Sequence, residues 1–210
     1  MSKLETNTID TVSGTSTLQV GSTNTSTITL GVSGDTINVP SGVTIANSGT
    51  ATGFGGLTMA DQWRLTADQS GGTNAVITSN LERVDTDGFG QLGTGLTESS
   101  GIFSFPSTGI YLISLIGFMT VNGADGAANV SIETTTDDGT YGDACIVTAG
   151  HPSGAGALQF SVAGHFIFDV TNTSTHKFRL KTHSMGGSSF LMGETDRNRT
   201  AVTVIKLGDT

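Results

Sequence analysis

A short unit recurs through roughly the first fifty residues of the chain, and it cannot build a hydrophobic core by itself. Each copy is a threonine, an aliphatic residue, usually a polar residue and a second aliphatic residue, often closed by Gly or Pro. The copies begin about eight to ten residues apart, a spacing typical of short strands joined by turns, at Thr8, Thr17, Thr27, Thr36 and Thr44. Because alternation gives each strand one narrow apolar face, a few such strands bury too little surface to offset the entropy of ordering the chain.

Two structures are compatible with this repeat. The segment is rich in Ser, Thr, Asn and Gly and nearly free of charge, as polar disordered linkers also are. Linkers, however, seldom place Ile, Leu and Val at alternate positions, so the pattern favours strands of identical, parallel chains that wrap around a shared axis. In that arrangement the candidate interface residues on the axis are Ile28, Leu30, Ile37 and Val39.

The composition predicts an all-β protein with two parts. Of the 210 residues, 30 are Gly and only 13% are charged, and the best helix candidate, residues 58–65, is short. Residues 51–56 place three glycines around Phe54 and predict a hinge. We therefore expect a β-repeat stalk that serves as an anchor at residues 1–56 and a head domain at residues 57–210.

Charge and cysteine content exclude several classes of protein. A net charge of −9 argues against nucleic-acid binding. The single cysteine, Cys145, excludes an intrachain disulfide framework and a clustered-cysteine zinc site. The first residues lack the apolar core of a signal peptide, and the longest apolar run, residues 110–121, is too short to span a bilayer. We expect synthesis in a cytoplasm and no membrane insertion.

The head domain shows many medium-length strands separated by turn signals. Turns are indicated by Asp87-Gly88, Asn122-Gly123, Asp138-Gly139 and residues 172–174. The strands are predicted at residues 62–65, 75–81, 101–105, 109–121, 128–135, 144–147, 158–162, 165–170, 177–182 and 200–207. Such punctuation is typical of a β-sandwich or jelly roll.

The predicted strand at residues 110–121 is apolar on both faces. Its alternate residues form two sets: Ile110, Leu112, Ile116 and Phe118 on one face, and Tyr111, Ile113, Leu115 and Met119 on the other. A strand of a monomeric sandwich normally exposes one face to water. We expect a neighbouring subunit to cover the second set, with a loop of the same chain as the alternative.

Residues 101–111, with the sequence GIFSFPSTGIY, resemble the signature of tumour-necrosis-factor/complement one-q-like jelly rolls, in which an aromatic strand is followed by Pro, Gly and Tyr entering a central strand. Residues 169–177 and 203–210 are similar to phage virion domains of this type, and residues 35–45 are similar to a segment of tail fibres from marine and cyanobacterial phages. The resemblance implies a homotrimer with a C-terminal jelly-roll head, with the N-terminal repeats in the place of a collagen stalk. It supplies no binding site, because heads of this type bind very different things.

The sequence offers no catalytic constellation. The four histidines, His151, His165, His176 and His183, are scattered, and no nucleophile elbow, phosphate loop or zinc-protease motif is present. His165 lies among apolar residues and is interpreted as structural, whereas His176 and His183 fall on opposite faces of one strand and cannot share a metal. We expect neither enzymatic activity nor a cofactor.

Two local features are candidates for binding. Residues 136–143 bring Asp137, Asp138 and Asp143 near two glycines, which would suit calcium, although Asp138-Gly139 favours a simple hairpin turn. Tyr141 in the same stretch would be able to stack on a sugar. Alternation along residues 177–183 puts Lys177, Arg179, Lys181 and His183 on one face, where they suit either an anionic surface polysaccharide or salt bridges with residues such as Glu133.

These features together predict a virion structural protein: a homotrimeric short fibre that docks on other virion proteins through its N-terminal stalk and contacts a host surface glycan or protein through its head. A capsid decoration or head-fibre (cement) protein is the alternative, since it needs the same trimeric anchor and stable head. A carbohydrate-binding adhesin of a bacterium is a third reading, weakened by the missing export signal.

Overall fold

The computed structural model describes residues 20–21, 24–46, 56–70, 72, 74–152, 156–186 and 188–210. The chain divides into two compact units, Met1–Thr52 and Gly53–Thr210. The repeats that begin at Thr8 and Thr17, except for Val20 and Gly21, lie outside the described residues, as does most of the glycine-rich hinge.

The described part of the first unit consists of turns and irregular backbone, with no strand at residues 20–21 or 24–46. Gly21 and Gly31, which close two of the repeats, have φ values of +102° and +85°, a conformation that favours glycine. The aliphatic side chains of the repeats are exposed, Leu30 to 65% and Ile37 to 62%. The candidate axis residues thus lack a cover within the single chain, and the intertwined stalk stays a prediction.

The second unit is built from β-strands alone among its described residues. In chain order they are β1 (Ala60–Leu65), β2 (Gln69–Ser70), β3 (Ala75–Val76), β4 (Leu81–Arg83), β5 (Thr97–Ser99), β6 (Ile102–Ser104), β7 (Gly109–Val121), β8 (Ala127–Thr135), β9 (Gly142–Gly150), β10 (Leu158–Val170), β11 (Lys177–His183), β12 (Phe190–Leu191) and β13 (Ala201–Gly208). No helix in the described residues is long and apolar enough to cross a membrane.

The strands form two antiparallel sheets. In the first sheet β7 is central: β10 pairs along one side of it, and β13 and then β12 pair along the other, with β1 and β4 continuing beyond β13. The second sheet has the order β5, β6, β11, β8, β9, with β3 added beside β11. This two-sheet arrangement, called the sandwich below, confirms the predicted all-β jelly-roll architecture.

The core of the sandwich lies between the sheets and is rich in aromatic rings. Phe103 of β6 and Phe178 of β11 stack with ring centres 4.6 Å apart, and Trp63 of β1 meets Phe103 edge-on at 5.5 Å. Phe105 packs against Tyr111 at 4.6 Å. Offset and edge-on pairs of this kind add to the stabilisation from buried area.

The glycines of the segment 101–111 are required by its backbone. Gly101 has a φ of +84°, and a Cβ there would lie 2.0 Å from the carbonyl oxygen of Ile77. Gly109 has a φ of +146°, and a Cβ would lie 2.3 Å from Cε of Lys206. The Tyr111 hydroxyl donates to the carbonyl oxygen of Ser107 at 3.0 Å and closes the corner into β7. The signature thus encodes a tight entry into the central strand.

Several strand predictions need correction. The strand predicted at residues 62–65 is confirmed as β1, which begins two residues earlier and pairs with β13 and β4, and the short helix candidate at residues 58–65 does not form. The predicted strand at residues 75–81 is interrupted, since Asn80 has a φ of +60°. The two strands predicted at residues 158–162 and 165–170 are one continuous strand, β10. The short strands β2, β5 and β12 were not predicted.

Candidate functional site

The basic ladder on β11 is partly exposed on one face of the second sheet. Lys177, Arg179, Lys181 and His183 alternate with buried residues along the strand, as the pattern predicts. The inward set contains Phe178 and Leu180, which belong to the hydrophobic core. The ladder therefore lies on the outer surface of the sandwich.

Two rungs of the ladder, Arg179 and Lys181, share one buried carboxylate. Glu133 lies opposite Arg179 in the β8–β11 pairing, and its side chain is only 3% exposed. Its Oε2 accepts from Arg179 Nε at 2.6 Å, and its Oε1 accepts from Lys181 Nζ at 2.7 Å. Since an unpaired buried carboxylate is strongly destabilising, Arg179 and Lys181 support the fold. Of the two roles predicted for the ladder, salt bridging with Glu133 is the one found for Arg179 and Lys181.

Lys177 differs from the other two cations. Its Nζ donates to Ser104 Oγ at 3.1 Å and to the carbonyl oxygen of Thr173 at 3.4 Å, and no acidic partner occurs among the described residues. The positive charge of Lys177 is therefore the part of the ladder that stays open to an external anion.

Tyr141 is packed against the same ladder. The Arg179 guanidinium lies over its ring, 3.9 Å from the centroid, and its hydroxyl oxygen is buried with no hydrogen-bond partner among the described residues. Burial, followed by the charge of Asp138, raises the pKa of the Tyr141 phenol. With Arg179 on one ring face, Tyr141 offers a smaller stacking surface than the sequence alone indicates.

The acidic stretch 137–143 forms a turn stabilised by its own hydrogen bonds. Asp137 Oδ1 accepts from Thr135 Oγ1 at 2.7 Å, from Gly139 N at 2.9 Å and from Thr140 N at 2.8 Å. The Thr135 hydroxyl, and then these amides, lower the pKa of Asp137 to about 2. Asp143 instead contacts His183 at 3.1 Å. No three His, Cys, Asp or Glu side chains converge in a metal-binding group in the described part of the chain, so Asp137, Asp138 and Asp143 are not brought together.

The neighbours of His183 include a serine and an aspartate, the residue types of a catalytic triad, but their geometry differs from that of a triad. Its Nε2 lies 2.9 Å from Ser131 Oγ and 3.1 Å from Asp143 Oδ1, while Asn74 Oδ1 lies 2.9 Å from Nδ1. A triad needs the serine and the carboxylate on opposite ring nitrogens. Because Ser131 and Asp143 both contact Nε2, the carboxylate does not orient His183 to accept a proton from Ser131.

The remaining histidines are separate from one another. His176 is buried, stacks on Phe168 at 5.6 Å and contacts the hydroxyls of Thr171 and Thr175. His151 is buried with both ring nitrogens 2.7 Å from backbone carbonyl oxygens. His165 is exposed on β10, with Nδ1 2.9 Å from Ser114 Oγ. His165 is hydrogen-bonded, as its interpretation as a structural residue predicts. It is nevertheless exposed and does not lie in the apolar core.

The candidate interface residues on β7 need correction. Tyr111, Ile113, Leu115 and Met119 are each 0% exposed and belong to the core of the single chain. They are covered by the chain's own second sheet, so they are not available to a partner. Alternation reveals two apolar faces but does not tell which one the chain covers itself.

The outward face of the first sheet is the one left uncovered. It carries Ile116, which is 39% exposed, and the neighbouring strand adds Ile167, which is 61% exposed. Leu112 lies opposite Ile167 on one side and Ile205 on the other, so an aliphatic row crosses β10, β7 and β13. We call Leu112, Ile116, Ile167 and Ile205 the outer apolar face.

Comparison with known proteins identifies the fold. No family model matches the sequence, and no curated protein matches it. The structure of Eiger TNF from S. frugiperda superposes with a TM-score of 0.55 at 12% identity, over 73% of this chain and 95% of that one. Murine APRIL, in crystal structures at pH 8.5 and pH 5.0, gives TM-scores of 0.50 at 13% and 16% identity, each over 71% of this chain and 98% of that one.

The sandwich has a tumour-necrosis-factor-like jelly-roll fold. This confirms the part of the resemblance that concerned the fold, and at such low identity it carries nothing about ligands.

A row of polar residues crosses the outward face of the first sheet. It consists of residues paired with one another on β10, β7, β13 and β1, namely His165, Ser114, Thr203 and Gln62. No local pattern in the sequence indicates this row, because its members are far apart along the chain, with 141 residues between the positions of Gln62 and Thr203.

Proposed function

We propose that this chain is a non-enzymatic virion structural protein, a homotrimeric short fibre whose jelly-roll head contacts the host surface. The observation that carries the proposal is the outer apolar face, which the single chain leaves exposed. Resemblance of residues 35–45 to phage tail-fibre segments, and of residues 169–177 to phage virion domains, supports a place in a phage particle.

The outer apolar face supports assembly through the first sheet. Burial of apolar surface stabilises association by about 25 cal/mol per Å², and the row from Ile205 through Leu112 to Ile167 runs across three paired strands. A closed cyclic assembly would cover this row in every subunit. Because Ile116 and Ile167 are among the more exposed aliphatic residues of the sandwich, we place the trimer contact there.

The first unit supports the same assembly independently. Its repeats expose Ile28, Leu30, Ile37 and Val39 in the single chain, and strands of this length gain little stability without partners. Three parallel copies would pool these side chains. The stalk would then anchor the fibre to other virion proteins.

A capsid decoration protein is the second candidate, since it needs the same trimer. Recombinant full-length protein, mixed separately with host cells and with tailless capsids, distinguishes the two, with sedimented protein as the measurement. We expect binding to cells. Binding to capsids alone would overturn the host-contact role, and binding to neither would overturn both roles.

A further inference from the structure

A polar cavity opens on the sandwich at the edge formed by β1 and β4. Its volume is about 240 Å³, and its lining includes Gln62, Arg64, Asp87, Phe89, Asp196 and Asn198. These residues come from β1, from the turn after β4 and from the loop before β13. The exposed Ile116 and Ile167 lie on β7 and β10, which are separated from β4 by β13 and β1. The cavity therefore lies at the opposite end of the sheet from these two residues.

The base of the cavity is a fixed and neutralised arginine. Arg64 is 2% exposed, and its guanidinium donates to Glu82 Oε1 at 2.7 Å, to Asp85 Oδ1 at 2.7 Å and to Thr86 Oγ1 at 2.9 Å. Two carboxylates thus outweigh its single positive charge. Arg64 holds the 85–89 turn in place and leaves no net positive charge to attract an anion.

A chain of side-chain hydrogen bonds holds two lining residues on one wall of the cavity in place. Gln62 Nε2 donates to Thr203 Oγ1 at 2.7 Å, and Gln62 Oε1 accepts from Asn198 Nδ2 at 2.7 Å. The positions of Gln62 and Asn198 beside the cavity are therefore fixed before any ligand binds.

The opposite wall offers an aromatic ring and carboxylates. Asp87 and Gly88 have φ values of +55° and +78°, and Phe89 N donates to the carbonyl oxygen of Thr86 at 3.1 Å. This tight turn brings the half-buried ring of Phe89 to the cavity next to Asp87. Asp196 adds a second exposed carboxylate, whereas Arg197 pairs with Glu194 at 3.3 Å.

We propose that this cavity binds a neutral saccharide residue. The C–H face of a sugar ring suits the ring of Phe89, and its hydroxyls are donors for the exposed carboxylates of Asp87 and Asp196. The carboxylates disfavour acidic sugars. The volume of about 240 Å³ is below the roughly 300–1,000 Å³ of pockets for drug-sized ligands, so it suits one terminal residue of a glycan.

The biological meaning of the site rests on the proposed host-contact function, because a terminal sugar is what a cell surface displays. A trimer would carry three such cavities, and simultaneous binding to a glycan-coated surface would raise the overall affinity well above that of one site. Weak binding by each single cavity is therefore sufficient for attachment.

The test uses the purified full-length protein and the methyl glycosides of glucose, galactose, mannose and N-acetylglucosamine, with glucuronic acid and N-acetylneuraminic acid as acidic controls. Binding is measured by ligand-detected NMR and calorimetry. We expect saturable binding of at least one neutral glycoside and none of the acidic sugars. Phe89→Ala should weaken binding by at least about tenfold, the effect of losing roughly 1.4 kcal/mol of contact energy, and Asp196→Ala should also weaken it.

Tyr141→Ala is the matched control, because it removes an aromatic ring next to β9 of the other sheet, away from the cavity. Unchanged binding in this variant supports the cavity, and loss of binding here with retention in Phe89→Ala would overturn it. Absence of binding to all neutral glycosides would overturn the inference even if the protein still sedimented with cells. Glycoside binding without cell binding would retain the cavity and overturn the host-contact function.

Discussion

Arg179 on β11 lies directly across the sheet from Glu133 on β8, with its Nε 2.6 Å from the carboxylate. Lys181 reaches the other oxygen of the same carboxylate at 2.7 Å. A row of cations that resembles a binding surface in the sequence is thus organised around an acid buried in the sheet. The energetic dependence is mutual, because a carboxylate buried away from water is stabilised by charged hydrogen-bond partners.

Glu133→Gln should lower the free energy of unfolding by about 3–5 kcal/mol, the usual effect of removing one partner from a buried ion pair. Urea unfolding monitored by circular dichroism measures this. Glu194→Gln removes a more exposed carboxylate that pairs with Arg197 and Arg199 and is the control, with a much smaller effect expected. Equal effects in the two variants would contradict the special role of Glu133.

Lys177→Glu is the appropriate charge reversal for testing anion binding by the ladder. Arg179→Glu with Lys181→Glu would place three carboxylates together at Glu133, so unfolding rather than lost binding is expected. Lys177 lacks an acidic partner among the described residues, and its reversal should leave the thermal midpoint nearly unchanged. If the ladder contacts an anionic surface, this variant should bind it less, and binding by the parent should fall with salt.

Ile167→Asp should convert the trimer to a folded monomer, because it introduces a charge that would be desolvated on assembly. Multi-angle light scattering gives the mass, and circular dichroism reports the fold. Ile146→Asp is the control, since Ile146 is 49% exposed on the second sheet. A trimer that survives Ile167→Asp, or a monomer produced equally by Ile146→Asp, would contradict assembly through the outer apolar face.

Asp137 should contribute a stability that depends on pH in the acid range. Its pKa is lowered from 3.8 to about 2 in the folded chain, so the contribution is present above about pH 4 and is lost as the pH falls through about 2. Thr135→Val removes the largest cause of this shift and should flatten the pH dependence of the unfolding midpoint between pH 2 and 4. The same slope in parent and variant would contradict this origin.

Gly101→Ala should be more damaging than Gly126→Ala, although both positions have positive φ, +84° and +65°. Strain of this kind is worth about 1–3 kcal/mol by itself. At Gly101 a Cβ would also lie 2.0 Å from the carbonyl oxygen of Ile77, whereas at Gly126 nothing lies within 4 Å. Thermal unfolding of the two variants separates the steric effect from backbone strain.

Much of the sandwich could be predicted because period-two patterning and turn residues are local properties of the chain. The strand predicted at residues 109–121 coincides with β7, and that at 177–182 falls short of β11 by one residue. The break predicted between residues 162 and 165 does not occur, and Gly164 lies inside β10. Its missing side chain instead makes room for Cys145 and Val147, whose atoms would lie 2.6 Å from a Cβ, a requirement visible only when the two sheets are packed.

The candidate sites were less predictable because they depend on residues far apart in the sequence. The Lys-Arg-Lys pattern was visible, but the depth at which Glu133 is buried depends on the pairing of β8 with β11. The cavity at Phe89 joins residues near positions 62, 89 and 198, and no local motif connects them. The fixed Arg64, a charged residue in a predicted strand, was the available signal.

The 13 residues of β10 pair with β7 on one side, and no strand covers their other side in the described part of the chain. An open edge of this length is a template for pairing with any other extended chain. A newly made chain is therefore prone to aggregate through this edge, and in the proposed trimer the rate of assembly would compete with the rate of aggregation. The yield of soluble protein should consequently depend on how fast, and at what concentration, the chain is synthesised.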